Sequence, residues 1–397
     1  MIKKQLKKII LNTPVLSGYV KRYYDDKQEH DLQTRIRGFL AQPELPYMKE
    51  APEKYGVGHE PTIRCNLRCK MCYQADTRAL RRSELTTDEV LGIYEKLKGK
   101  MKSIKLVGGE PLIRGDIFEL MDYLDKNDIR ITLQSNCTLI NDEMMTKLGR
   151  YKNLTDVIAS LDGKEEVHDA IRGVPGTFAR LQKALSLVKG KRPDINITIF
   201  GMMLINDNVD KLYELIDTAK ELGINSLNIL FEQVYVTQNV ENTKKIFKQE
   251  LGWEPGTYQI NTQIREPEFA ADLDISELEK KLEKIREYGI MKKCYVNFTP
   301  FNYYQNIKGY LKKKPVQVFC TKLLSPQFRI NQRGDVIWCD TIEKSFGNLT
   351  EKTPDEIWLS EDYQKFRQFL FKHSLPVCTR CCKGVYIEKM PEVLKRH

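Results

Sequence analysis

Between about residue 60 and residue 230, apolar residues follow two alternating rhythms. Short runs rich in Val, Ile, Leu and Phe are separated by longer stretches whose apolar positions recur every three or four residues. The first rhythm marks strands, and the second marks helices with one face laid on a core. Strand candidates are 61–64 (PTIR), 103–108 (SIKLVG), 129–135 (IRITLQS), 155–160 (TDVIAS), 195–204 (INITIFGMML) and 225–231 (NSLNILF). The helices between them carry end signals. Thr86 and Glu89 form a capping box, Thr177 is placed to cap FARLQKALSLV, and Gly223 is a left-handed stop. Strands and helices in alternation imply right-handed βαβ units and a parallel sheet. Six such units curve into an incomplete barrel spanning 56–231, whose ligands gather where the strands end.

The flanks read differently. Residues 232–314 are a connector and candidate substrate wall, with a helical stretch at 275–289 and an aromatic-rich one at 296–310. Residues 315–397 form a small α+β domain; its helix opens on Thr353 as N-cap, Pro354 first and Glu356 third. Residues 1–55 are an N-terminal helical extension. Its start is a basic amphipathic helix with Ile2, Leu6, Ile9 and Ile10 on one side, suited to packing on the main domain or to a membrane surface. Asn12, Thr13 and Pro14 interrupt its apolar part, which argues against a signal peptide. No run approaches the ~18 apolar residues of a membrane span.

Composition narrows the class. With 41% apolar and 30% charged residues the chain reads as soluble and globular. Its net charge of +10 is lysine-heavy and spread along the chain, which permits an anionic substrate or membrane surface without requiring either. No nucleic-acid partner is expected. Ten cysteines without an export signal argue for a reducing cytoplasm and for metal ligation, not disulfides. The expected location is cytoplasmic, with peripheral membrane contact through the basic helix left open.

Cys65, Cys69 and Cys72, spaced C-x3-C-x2-C, supply the candidate chemistry. A structural zinc site normally takes four protein ligands. A [4Fe-4S] cluster has four irons, so three cysteines leave one iron open to another ligand. Half of a zinc ribbon, or buried free thiols, remain the plain alternatives at this point. Context then accumulates: Gly108-Gly109-Glu110-Pro111 after an apolar strand, Ser135-Asn136 in ITLQSNC, and Ser160, Asp162, His168 and Arg172 in SLDGKEEVHDAIRG.

In this order, over about residues 57–230, these motifs resemble the radical S-adenosylmethionine (SAM) enzymes, whose core is a partial (β/α)6 TIM-like parallel barrel. Cys320, Gly334-x4-Cys339, and Cys378-x2-Cys381 resemble the SPASM or shorter twitch domain, an auxiliary iron–sulfur module. A full SPASM pattern continues with further cysteines; here only Cys382 follows, so one auxiliary cluster is expected on Cys320, Cys339, Cys378 and Cys381. Zinc on the same four is the competing reading; Cys382 and Cys294 are spare, read as buried thiols with replacement of a ligand as the alternative.

The resemblance implies two [4Fe-4S] clusters, S-adenosylmethionine as cofactor, and an external flavodoxin- or ferredoxin-like electron donor. It implies that Cys65, Cys69 and Cys72 hold the cluster whose open iron chelates the methionine moiety. Cleavage then yields a 5′-deoxyadenosyl radical that takes a substrate hydrogen. Gly108 and Gly109 would admit the ligand closely, Glu110 would accept from its ammonium group, and Arg172 with Ser160 would meet its carboxylate. Asn136 or Ser135 would contact the ribose, with Asp162 a further polar candidate. Met71 stands where the family often has an aromatic ring, so Tyr73 takes more of the adenine contact; Cys137 stands where a glycine is usual. His168 is read as structural.

Three functions follow from this reading. The first is a radical enzyme acting on a non-peptide metabolite, such as a sugar, cyclitol or lipid precursor, for oxidation, epimerisation or bond formation. A small-molecule or lipid-like substrate is preferred to a peptide, because 1–55 looks too short and too helical for a β-rich leader-peptide domain. The second is modification of a ribosomal peptide or a protein side chain. The third is a non-catalytic zinc or nucleic-acid module. By position, Glu232, Tyr235 and Asp340 are candidate proton or hydrogen donors; the catalytic residue is not identified.

Overall fold

The computed structural model describes residues 30–72, 74, 83–205, 207–232, 234–261, 263–264, 273–299, 307, 311 and 318–386. The basic helix expected at the N-terminus and Tyr73 lie outside the described residues.

Six strands form the heart of the fold: β1 (Tyr55–Thr62), β2 (Met101–Gly108), β3 (Arg130–Ser135), β4 (Leu154–Ser160), β5 (Asn196–Met203) and β6 (Ser226–Phe231). They lie side by side in chain order, every pair parallel. This is the arrangement that repeated right-handed βαβ crossovers generate. The class is therefore α/β, a partial TIM-like barrel followed by a C-terminal domain.

Two further stretches extend the sheet. Tyr295–Thr299 pairs in parallel with β6, and Gln327–Ile330 pairs in parallel with β1; Val336–Ile337 closes that edge antiparallel. The connector and the C-terminal domain thus both supply barrel strands, so neither stands apart from the barrel in space.

The two faces of the sheet differ. Ile104, Leu106, Ile131, Leu133, Val157, Ala159, Ile199, Leu227 and Ile229 are buried under the helices. Their alternates, including Lys105, Thr132, Gln134, Ile158, Ser160, Thr198, Phe200, Met202 and Asn228, are only half-buried and line the concave face. Parallel strands packed on both sides read as continuous apolar runs. Here the inner set is mixed because it faces a lumen, not a second apolar layer.

Helix ends follow their local chemistry, with one correction. The Thr86 and Thr353 capping boxes form, and Gly223 takes φ +66° after the helix Leu212–Glu221. Thr177 does not cap its helix: it is the first helical residue, and the N-cap is Gly176. The Asp169 carboxylate does the capping instead, accepting from the Phe178 and Gly176 amides. Strand β1 also begins at Tyr55, well before the PTIR run, of which it includes only Pro61 and Thr62. Its inner-face residues are glycines and Glu60, so no apolar alternation announced it.

Candidate active site

The cysteine loop leaves β1 and lies across the C-terminal rim of the barrel, fastened at three places. The Gly109 and Glu110 amides donate to Thr62 and Arg64 carbonyls at 2.9 and 2.8 Å. On the far side, the Arg68 and Lys70 amides donate to the Arg172 and Ile171 carbonyls at 3.0 and 2.9 Å. Asn66 bridges the middle, accepting from the Asn136 side-chain amide at 2.9 Å and donating to the Thr138 hydroxyl at 2.8 Å.

Glycines permit these contacts. A Cβ on Gly109 would stand 2.1 Å from the Arg64 carbonyl oxygen, and one on Gly173 would stand 2.4 Å from that of Arg68. The close approach seen at Gly108-Gly109 is therefore to the backbone that leads into Cys65. Gly173 and Asn66 were not singled out from the sequence; the Arg-Gly pair and the Asn inside CNLRC were the available signals.

Polar side chains then meet the thiols. Leu67 N–H and the Asn136 amide reach Cys65 Sγ at 3.4 and 4.0 Å, and Arg172 Nη1 reaches Cys69 Sγ at 3.8 Å. Arg172 is held by a buried bidentate pair with Asp162, Nε to Oδ2 at 2.6 Å and Nη2 to Oδ1 at 3.0 Å. Asp162 also accepts from the Met202 amide at 2.9 Å, and its own amide donates to His168 Nδ1 at 3.3 Å. Burial opposes ionisation of Asp162, yet Arg172 and His168 hold its carboxyl well below the usual range. The pair orients Arg172 and leaves Nη1 turned to the loop.

Glu110 is fully buried. Its carboxylate accepts from the Ser135 hydroxyl at 2.9 Å and from the Asn136 and Leu112 amides at 2.8 and 3.1 Å. Burial raises its pKa to about 7 against those donors. Glu110 and Ser135 thus tie β2 to β3, while Asn136 is buried beside them and Ser160, at the end of β4, is half-buried. Cys137 adopts φ +61°, the left-handed conformation its usual glycine takes freely.

The C-terminal cysteines converge by strand pairing. Val318–Cys320 runs antiparallel to Gly384–Tyr386, with Cys320 opposite Gly384. Cys378 and Cys381 sit one turn before that strand, and Cys381 N–H donates to the Cys378 carbonyl at 3.1 Å. Cys339 accepts from the Ile342 amide at 3.4 Å. Burial pushes the Cys339 thiol up to about 12, and Cys378 is raised by burial and by its neighbours Cys320 and Cys339. Cys382 hydrogen-bonds Cys381 and is lowered to about 7, with Lys383 and Lys105 acting in the same direction. Cys294 is fully buried. Of the donor candidates, Asp340 pairs with Arg329 at 2.9 Å, and Glu232 and Tyr235 are buried.

Among the described residues, no three His, Cys, Asp or Glu side chains close on a point as ligands of a single ion would. A cubane cluster is wider than an ion, and its thiolates stand correspondingly further apart. Both sets have the donor chemistry such a cluster needs: soft sulfur ligands, three in one and four in the other.

Comparison with known proteins gives the same picture. The Radical SAM superfamily profile matches residues 59–231, and the profile of an iron-sulfur cluster-binding domain, SPASM, matches 320–382. An AdoMet-dependent heme synthase of Methanosarcina barkeri is 35% identical over 44% of this chain, which spans 50% of that relative's length. The Fe-coproporphyrin III synthase of the same organism is 28% identical over 81% of this chain and 78% of its own. Streptococcus suis SuiB, solved with its precursor peptide SuiA, shares the fold with a TM-score of 0.57 at 15% identity, covering 86% of this chain and 74% of that one. The chain belongs to the radical SAM superfamily and carries a SPASM domain, which implies S-adenosylmethionine, a SAM-binding [4Fe-4S] cluster and an auxiliary [4Fe-4S] cluster.

Proposed function

We propose that this chain is a radical SAM enzyme that takes hydrogen from a non-peptide metabolite held in the barrel lumen. The carrying observation is the alignment of the half-exposed cysteine loop, the Arg172–Asp162 pair and the half-polar lumen at one end of the sheet. When bound, the cofactors supply one-electron cleavage of S-adenosylmethionine and removal of a substrate hydrogen atom.

Cys65, Cys69 and Cys72 would ligate the first cluster, steadied by N–H···S contacts from Leu67, Asn136 and Arg172. Arg172, preset by Asp162, would meet the carboxylate of S-adenosylmethionine, with Ser160 beside it. Asn136 would contact the ribose, and Tyr73 the adenine. Glu110 and Ser135 hold the rim rigid, and one acceptor position on Glu110 remains for the ammonium group. Gly108 and Gly109 keep the loop against β2. Cys320, Cys339, Cys378 and Cys381 would ligate the auxiliary cluster. An external flavodoxin- or ferredoxin-like protein would deliver the electron.

Support for a metabolite comes from two relatives named for tetrapyrrole products, the heme synthase and the Fe-coproporphyrin III synthase. A carboxylate-bearing tetrapyrrole is therefore the first substrate to test. The second reading, modification of a peptide, has the fold shared with SuiB in its favour.

Anaerobically reconstituted protein should hold about eight irons and eight sulfides and release 5′-deoxyadenosine when reduced with S-adenosylmethionine. Fe-coproporphyrin III should accelerate that release, and deuterium from the labelled porphyrin should appear in the product. Zinc in place of iron would end the reading. Acceleration by a precursor peptide alone would move it to the second.

A further inference from the structure

Three inward positions of the sheet stand in one row. Gly58 on β1 is in register with Arg329 on one side and Lys105 on the other, so two cations flank a residue without a side chain. A Cβ at Gly58 would lie 3.3 Å from Arg329 Nη1, so the glycine makes room for the guanidinium. Arg329 is fully committed. Its Nε reaches Glu60 at 2.8 Å and Asp340 at 2.9 Å, and Glu60 is further fixed by the Gln74 amide at 2.8 Å.

Lys105 has no such partner. Among the described residues no carboxylate lies within ion-pair distance of its amine, and no acceptor hydrogen-bonds it. The face of Phe200 on β5 lies 5.4 Å from its Nζ, measured to the ring centre. β2 and β5 are separated by two strands, so this contact crosses the concave face. A cation over a ring face is a modest attraction, about 0.5–2 kcal/mol, and leaves the N–H donors available to an acceptor on a bound molecule. Lys105 is half-buried, with its aliphatic stem covered and its amine toward the lumen.

The surroundings add to the imbalance. Burial, followed by the nearby Lys383 and Arg329, lowers the Lys105 pKa to about 8, with Asp340 and Cys382 opposing. A carboxylate arriving beside Nζ would supply the missing charge and acceptors together. Lys105 also lies three residues before Gly108, on the strand that leads to the rim motif. A group held there would sit inside the barrel below the cysteine loop.

We propose that Lys105 anchors a carboxylate of the substrate in the lumen, with the Phe200 ring as the floor of that subsite. The inference deepens the metabolite reading and rests on it. It also specifies that the substrate bears an anionic arm long enough to reach down the barrel from the reacting carbon.

The test is chemical modification of the reconstituted holoenzyme with acetic anhydride, Lys105 being followed by peptide mass spectrometry. Fe-coproporphyrin III should slow modification of Lys105 by at least about tenfold, the effect of a desolvated charge pair. Its tetramethyl ester should not. Lys105→Met should weaken porphyrin binding by a similar factor, and Lys105→Arg should recover part of it. Equal protection by acid and ester, or protection by neither, overturns the anchor. Reductive 5′-deoxyadenosine formation by the wild type, without porphyrin, reports separately on the radical SAM reading. Protection without that activity would leave the anchor and remove the reaction.

Discussion

Cys320, Cys339 and Cys378 pack against the hydrophobic core, and Cys381 lies one turn beyond Cys378. Cys65, Cys69 and Cys72 share the intermediate exposure of the rear set but stand in a loop without regular structure, and their neighbours are polar: Asn136, Arg172 and the Leu67 amide. The rear set is positioned by the fold itself, through a strand pair and a turn. The front set is positioned by purpose-built hydrogen bonds across the barrel rim. An open ligand set needs the second solution, because one side must stay clear for a further ligand. The two sets should therefore fail in different ways.

The largest contrast is between Cys69→Ala and Cys339→Ala. Cys69→Ala should reduce 5′-deoxyadenosine formation to background and remove about half of the iron, with the thermal midpoint little changed. Cys339→Ala should also remove about half of the iron, but it empties a core-packed position and should lower the midpoint by several degrees. Iron assays and melting curves on anaerobic protein compare them. Equal loss of stability in both would erase the distinction between a loop-held and a core-held set.

Arg172→Met comes next. It leaves Asp162 as a buried carboxylate without its cation, a change that costs about 3–5 kcal/mol. S-adenosylmethionine affinity should fall with it. Adding Asp162→Asn should restore stability but not affinity, which separates the two roles of the pair. The pH dependence has a definite sign. Because Asp162 is held below the ordinary carboxylate range, its contribution exists above that range and is lost as pH falls through it. Wild type and Arg172→Met should converge in stability at acid pH; a constant gap would remove the pair from the account.

How far the sequence announced these two regions depends on what its residues face. Helix-facing positions such as Ile104, Leu106 and Leu133 alternate visibly and gave the strands and their order. Strand β1 was anticipated only at its end, Pro61 and Thr62, because Gly56, Gly58 and Glu60 face the lumen and the Arg329 guanidinium. The strands Tyr295–Thr299 and Gln327–Ile330 were hidden for another reason: they join the sheet from other parts of the chain, and local periodicity carries no information on partners that distant. Cysteine spacing made both thiol sets legible. The Asn66 bridge, Gly173 under the loop and the isolation of Lys105 depend on three-dimensional neighbours and were not.

Glu110 tests the rigidity of the front rim. Its pKa is raised from 4.5 to about 7 because burial outweighs the Asn136, Leu112 and Ser135 donors. The folded state then holds a proton that the unfolded chain has lost. Stability present below pH 4.5 should decline as pH rises to about 7 and level off beyond it. In Glu110→Gln that decline should be absent, so the gap between the two melting midpoints should change across this window. A gap independent of pH would mean that the three donors keep Glu110 ionised throughout, and that the rim is tighter than burial suggests.

The smallest expected effect is at Cys137, where the front region departs from the glycine usual at that position. A non-glycine residue in the left-handed conformation carries about 1 kcal/mol of strain, and Cys137 sits at φ +61°. Its side chain is nonetheless buried, and burying a small apolar group contributes about the same amount with opposite sign. Cys137→Gly should therefore leave stability within about 1 kcal/mol of wild type. Cys137→Val keeps the volume but puts a β-branched side chain at positive φ, and should lose clearly more than the glycine variant. Thermal melts of the pair decide the matter. If valine were as stable as glycine, the turn after Asn136 would have to relax out of the left-handed region, and the hydrogen bond from the Cys137 amide to the Ser135 hydroxyl at 2.8 Å would be lost with it.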